Sequence, residues 1–198
     1  MLACNHTKPF FNRVHEDTPF RLVHFGPQQG MMNVINRFLP SIDQVGVDYF
    51  AESYIYDKSR TLHADVTDLK FPDNFANGII ILHVLEHIRA LETAAKEMLR
   101  VLAPGGWIVM EVPCNQKKET KDCRKFNESV DLISCAGQRD HVWSFNCRDF
   151  QDDMKEYGMK CEAGYELDNQ KDCLDPSLRE SILPKPGSAP VLFCVRND

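Results

Sequence analysis

The sequence predicts an α/β fold: one doubly wound, mainly parallel sheet of seven strands with helices on both faces. Three observations predict it. Short apolar runs alternate with stretches of helical period along most of the chain, the pattern of successive βαβ units. The run GIIIL at 78–82 is continuously apolar, as in a strand covered on both faces. The first run ends in Gly26-Pro27, a turn at the strand end where open α/β sheets take ligands.

The elements follow in order. RLVHF at 21–25 is the first buried strand. In GMMNVINRFLP, Met31, Val34, Ile35, Phe38 and Leu39 recur at helical spacing, and Pro40 stops the helix. Residues 45–48 and 61–66 are the second and third strands, and 78–82 the fourth. The strongest helix is predicted over 87–102, where Ile88, Leu91, Ala95, Met98, Leu99 and Leu102 form one apolar stripe. Pro104-Gly105-Gly106 ends it, and 107–112 is the fifth strand. Phe150, Met154 and Tyr157 mark a last helix with Gly158 as its left-handed cap. Residues 159–167 and 191–196 are the last two strands, joined by the turn-rich PKPGSAP. Residues 114–146 carry few periodic apolar positions and read as a lid-like insertion; residues 1–20 are an N-terminal extension of the single 1–198 domain.

At 198 residues the chain is long enough to bury a core without staples. A net charge of −6 and a pI near 5.6 argue against nucleic acid as a partner, because such binders carry a basic face. The lysines of 117–125 are interleaved with Glu119 and Asp122, as on a solvated loop. No apolar run is long enough for a membrane span. Seven of the eight cysteines fall from Cys114 onward, with no CxxC pair and no apolar leader before Cys4. They read as reduced, half-buried thiols in a cytoplasmic protein without a metal site, monomeric or homodimeric.

The turn after the first strand, Gly26-Pro27-Gln28-Gln29-Gly30, has Gln28 where a dinucleotide fingerprint needs its second glycine. A nicotinamide cofactor is thereby disfavoured. The segment FPDNFANGIIILHVLEHI, followed by EMLRVLAPGGWIVMEVP, resembles the class I S-adenosylmethionine-dependent methyltransferases with a VLEH motif after strand four. The resemblance continues through GQRDHVWSFNCRDFQDDMKEYGM and covers most of the chain from Arg21 onward. It implies a Rossmann-like methyltransferase fold with an antiparallel last strand, and methyl transfer from S-adenosylmethionine, leaving S-adenosylhomocysteine. The acidic charge and the short chain suggest a small-molecule acceptor. A cofactor-binding regulatory protein without turnover, or an enzyme acting on a macromolecule, are the alternatives.

The resemblance implies a set of cofactor residues: Phe25, Gly26 and Gly30 at the methionine and ribose, Asp48 and Tyr49 at the ribose, Asp65 and Val66 at the adenine, and Leu82 and His83 at the centre. The chemistry agrees, since a carboxylate accepts two hydroxyl donors side by side and a glycine allows close approach. Asp48 and Asp65 could equally cap their own turns. His24 and Asn77 stand where the family usually has acids. His141, next to Asp140, is the candidate general base, or else a pin holding the lid by hydrogen bonds. Arg139, Trp143, Arg148 and His87 are the candidate acceptor contacts, His87 also reading as a structural helix residue.

Overall fold

The computed structural model describes residues 19–53, 61–163 and 192–196. Its elements are β1 (Arg21–Phe25), α1 (Gln29–Phe38), β2 (Asp43–Asp48), β3 (Thr61–His63), β4 (Ala76–Leu82), α2 (Leu91–Val101) and β5 (Leu102–Glu111). The insertion adds β6 (Cys114–Asn115), β7 (Lys121–Asp122), α3 (Ser129–Ala136) and β8 (Trp143–Asn146). The chain then forms α4 (Cys147–Glu156), β9 (Met159–Ala163) and β10 (Leu192–Arg196). Seven strands make the main sheet in the order β3-β2-β1-β4-β5-β10-β9. The first five are parallel, and β10 runs antiparallel to both its neighbours. The reversal from β1 to β4 at the centre is a topological switch point, with a crevice outside the strands' carboxyl ends.

The core sits on the sheet where apolar strand residues meet α2 and α4: Val23, Ile79, Ile81, Ile108 and Met110 pack with Ala95, Met98, Phe150 and Met154. Each is at most 1 % exposed. Parallel strands buried on both faces favour such continuous apolar runs. Gly78 is required by packing, because a Cβ there would lie 2.8 Å from the Trp107 ring.

Several boundaries differ from the expectation: β2 and β4 each begin two residues earlier, and β3 ends at His63, so Asp65 lies two residues past its strand. Helix α2 begins at Leu91, after a 3₁₀ turn over Leu85–His87. Ile88 between them is extended, and its carbonyl accepts the Trp143 indole N–H at 2.8 Å, so a distant contact outweighs local helix propensity. Strand β5 begins at Leu102 and contains the Pro-Gly-Gly segment, with a register shift between Ala76 and Gly78 on β4 and Gly105 at φ 69°. A left-handed glycine lets the strand absorb this irregularity. The turn expected at 184–190 and the strand beyond Ala163 lie outside the described residues.

The expectation of reduced thiols is corrected. Cys114–Cys147, Cys123–Cys135 and Cys161–Cys194 are disulfides, while Cys4 and Cys173 lie outside the described residues. Cys161 and Cys194 are direct register partners on β9 and β10, and Cys114 pairs in β6 beside the β8 strand that leads into Cys147. With the thiols paired, the argument for a cytoplasmic location loses its basis. No helix among the described residues is long and apolar enough to cross a membrane.

The insertion at 114–146 is folded rather than irregular. Its small sheet has the order β6-β8-β7, and Cys123, Leu132 and Val142 form a separate core with Phe126, Cys135 and Trp143 packed against it.

Candidate active site

The crevice at the carboxyl ends of β1 to β4 is a cavity of about 660 Å³. That volume lies within the usual span for sites that take small molecules and cofactors. One end is formed by Phe25, Gly26, Asp48, Tyr49, Asp65 and Val66, the other by His83, His87, Ile88, Ala90 and Asp140. Gly26 has φ 57°, and its N–H donates to the Val47 carbonyl at 2.9 Å, so the chain leaves β1 in a left-handed conformation while still bonded to the end of β2. A side chain would strain that backbone.

Asp48 ends β2 opposite His63 and accepts the Phe50 N–H at 2.6 Å, so its carboxylate stands fixed at the cavity rim. Asp65 accepts from the Thr67 N–H at 2.8 Å and the Thr67 hydroxyl at 2.6 Å, both at Oδ1. These contacts are the turn-capping interactions open to aspartate, and they orient the carboxylates without removing them from the cavity wall. Tyr49 is half exposed, with its ring edge-on to Phe50 at 5.0 Å.

His83 follows β4 with φ 56°, a left-handed conformation uncommon outside glycine. Its N–H donates to the Glu111 carbonyl at 2.9 Å, and its ring nitrogens lie 3.8 Å from carboxylate oxygens of Glu86 and Glu111. Strained residues of this kind concentrate at functional sites.

Below the far end, His87 and His141, both candidates from the sequence, meet Glu86, which the sequence reading did not single out. Glu86, in the 3₁₀ turn, is 1 % exposed, and its Oε1 lies 3.9 Å from Nε2 of both His87 and His141. Burial raises the Glu86 carboxyl above the ordinary carboxylate range, opposed by a backbone hydrogen bond and by His87 and His83. Burial lowers the His141 imidazole below its usual value, with His87 acting in the same direction. No signal in the sequence set Glu86 apart, because His83, His87 and Arg89 make its segment as polar as an exposed turn.

The structure brings Phe25, Gly26, Asp48, Tyr49, Asp65, Val66, His83, His87 and Asp140 together around one cavity. Others fall outside its lining. Leu82 packs on the opposite face of the sheet with Ile80 and Trp107. Gly30 lies in the first turn of α1, where an added Cβ would touch nothing, so no close approach demands a glycine. His141 is 6 % exposed and sits behind His87, the two rings edge-on at 4.7 Å. Trp143 is engaged by the Ile88 carbonyl and by the Arg124 guanidinium 4.4 Å above its ring. Arg139 lines a separate depression with Gly137 and Gln138, and Arg148 is exposed on α4. Asn77, in the place of an expected acid, accepts the Arg21 N–H at 2.9 Å and joins the start of β1 to β4.

A mainly parallel sheet with an antiparallel β10, and acids at or just past the ends of β2 and β3 around a switch-point cavity, places the protein in the Rossmann-like class, whose ligands seat in that crevice. A model of the methyltransferase domain matches residues 5–163, and the chain belongs to that family. It is 37 % identical over 79 residues to the ubiquinone/menaquinone biosynthesis C-methyltransferase UbiE of Stutzerimonas stutzeri, a match covering 38 % of this chain and 31 % of the relative. The match therefore spans about a third of that relative's length. Among solved structures, the YcgJ protein of Bacillus subtilis aligns over 98 % of this chain and 100 % of its own, with TM-score 0.57 and 15 % identity. A SAM dependent methyltransferase from Archaeoglobus fulgidus aligns over 96 % and 98 %, with TM-score 0.58 and 14 % identity. Identities this low carry the fold alone. The chain thus carries a methyltransferase domain, and the methyl donor expected from the sequence resemblance is S-adenosylmethionine. The site fits that cofactor, since the left-handed Gly26 leaves room for close approach and Asp48 offers a carboxylate to vicinal hydroxyls.

Proposed function

We propose that the enzyme methylates a small molecule held at the far end of the 660 Å³ cavity, against His87, Ile88, Ala90 and Asp140. The observation that carries this reading is the continuity of the cavity from the strand-end acids to these residues, within a volume suited to a cofactor and a compact acceptor. The net charge of −6 and the name of the UbiE relative, a C-methyltransferase of quinone biosynthesis, support a small acceptor.

When bound, S-adenosylmethionine supplies an electrophilic methyl on its sulfonium for in-line displacement. The chain's residues bind and orient. Asp48 accepts both ribose hydroxyls, Asp65 and the Val66 amide meet the adenine edge, and Gly26 gives backbone access to the amino-acid end. Fixing the reactants in line removes most of the entropic barrier. Trp143 serves by holding the Ile88 carbonyl, and so the acceptor wall, in place.

Calorimetry tests the cofactor half. S-adenosylmethionine binds and NAD does not, and Asp48→Ala weakens binding by about 1.5–3 kcal/mol, the range for hydrogen bonds to a charged group. Unchanged affinity in that variant removes Asp48 from the ribose site. A labelled-methyl screen over phenols, carboxylates, amines and thiols tests the acceptor half.

A further inference from the structure

Glu86, His87 and His141 each offer one ligand atom, and the three atoms lie within 4.8 Å of one another. The two segments that carry them are joined by the Val142 N–H, which donates to the Glu86 carbonyl at 2.9 Å. Glu86 is 1 % exposed, and its Oε2 has no hydrogen-bond partner among the described residues. A buried carboxylate oxygen left without a donor is costly, and native structures seldom retain one without a reason. The reason is best sought in what the neighbouring imidazoles present.

The Nδ1 of His87 lies 3.1 Å from the Asp140 carbonyl oxygen and 3.5 Å from Asp140 Oδ2. A carbonyl can only accept, so Nδ1 carries the proton, and the neutral ring then presents the Nε2 lone pair toward Glu86. Metal-binding imidazoles are held in this way, with the distal nitrogen donating to a carboxylate or carbonyl. Ligands about 2.0–2.1 Å from a tetrahedral ion stand roughly 3.4 Å apart. The two 3.9 Å separations from Glu86 Oε1 need to close by about half an ångström, and the two imidazole ligand atoms, within 4.8 Å of one another, by up to about 1.4 Å, to meet that spacing. The cysteines at 114, 123, 135 and 147 are paired with one another, so they do not compete as ligands.

We propose that Glu86, His87 and His141 bind a first-row divalent transition-metal ion of the zinc or ferrous class, with its remaining coordination directed to the cavity at His83 and Asp140. Two imidazoles and one carboxylate suit those ions, whereas an all-oxygen set would suit magnesium or calcium. A site with three protein ligands keeps a position open for water or another oxygen donor. That this position takes an oxygen of the acceptor rests on the methyl-transfer reading; the site itself does not.

The test uses the full-length protein, stripped with chelator and titrated separately with Zn²⁺, Fe²⁺ under anaerobic conditions, and Co²⁺. One ion binds per chain by elemental analysis and calorimetry, and the Co²⁺ form shows the visible bands of a four- or five-coordinate ion without thiolate charge transfer. Glu86→Gln and His141→Ala each weaken binding by more than about 100-fold, beyond the loss expected of an outer-shell change. S-adenosylmethionine affinity is measured on the same samples, and its retention shows that a variant is folded. If a buried variant fails to fold, His87→Ala, at a partly exposed position, gives the same readout. Absence of stoichiometric binding by folded wild-type protein, or undiminished binding in the folded variants, overturns the site. Metal binding without cofactor binding instead preserves the site and removes the methyl-transfer reading.

Discussion

At the scale of single residues, His24 shows what a departure from a family pattern does inside a sheet. It lies in β1 between Gly46 of β2 and Ile80 of β4, 1 % exposed, and neither ring nitrogen has a partner among the described residues. Burial lowers its pKa from 6.5 to about 4, so the folded protein holds a neutral imidazole. The unfolded chain takes up the proton near pH 6.5 and the folded chain only near pH 4. The contribution is therefore complete above pH 6.5 and is lost as the pH falls through 4. A gap of about 2.5 units corresponds to roughly 3 kcal/mol. Denaturant unfolding of wild type should lose more stability between pH 7 and pH 4.5 than His24→Leu does; parallel curves for the two would contradict the assignment. Gly26, Asp48 and Asp65 were legible because their chemistry is local, a turn glycine and two strand-end acids. Glu86 was not, because nothing in a single sequence separates a buried acid from a solvated one.

At the scale of elements, the alternation of strand and helix was legible through β5 because each run has one period and one set of neighbours. The insertion at 114–146 was not. Its core is small, centred on Cys123, Leu132 and Val142, and its shape depends on two cross-links that leave no trace in hydrophobic period. The Cys123–Cys135 bridge joins β7's exit to the last turn of α3 across a separation of 12 residues. Cross-links of this loop length contribute about 2–4 kcal/mol, chiefly by restricting the unfolded chain. Cys123→Ser/Cys135→Ser should therefore raise amide exchange over 121–136 while β1, β4 and β5 keep their protection. Unchanged exchange in the insertion would show that its packing suffices without the bridge.

For the whole molecule, the decisive question is whether the insertion opens alone or moves with the cavity wall. Besides its anchorage to α4 through Cys114–Cys147, Thr120–Asp149 and Phe145–Phe150, it is attached at residues 85–90. The Val142 N–H donates to the Glu86 carbonyl, the Trp143 indole to the Ile88 carbonyl, and the Arg89 guanidinium to the carbonyls of Arg124 and Phe126 and to Asn127 Oδ1. The Arg124 guanidinium returns a bond to the Arg89 carbonyl at 3.3 Å. The same short segment supplies His87, Ile88 and Ala90 to the cavity. A ligand that orders this wall must then order the insertion too, because the two share carbonyl acceptors and cannot exchange them independently. Saturating S-adenosylhomocysteine should slow amide exchange at 83–90 and at 122–128 and 140–143 together, since binding to the native state suppresses local opening of whatever is coupled to it. Arg89→Ala removes the side-chain half of the joint without touching a strand-end acid. In that variant the response at 83–90 should persist and the response at 122–128 should shrink. If 122–128 instead keeps its full response, the coupling runs through Val142 and Trp143 alone, and the arginine pair is surface decoration.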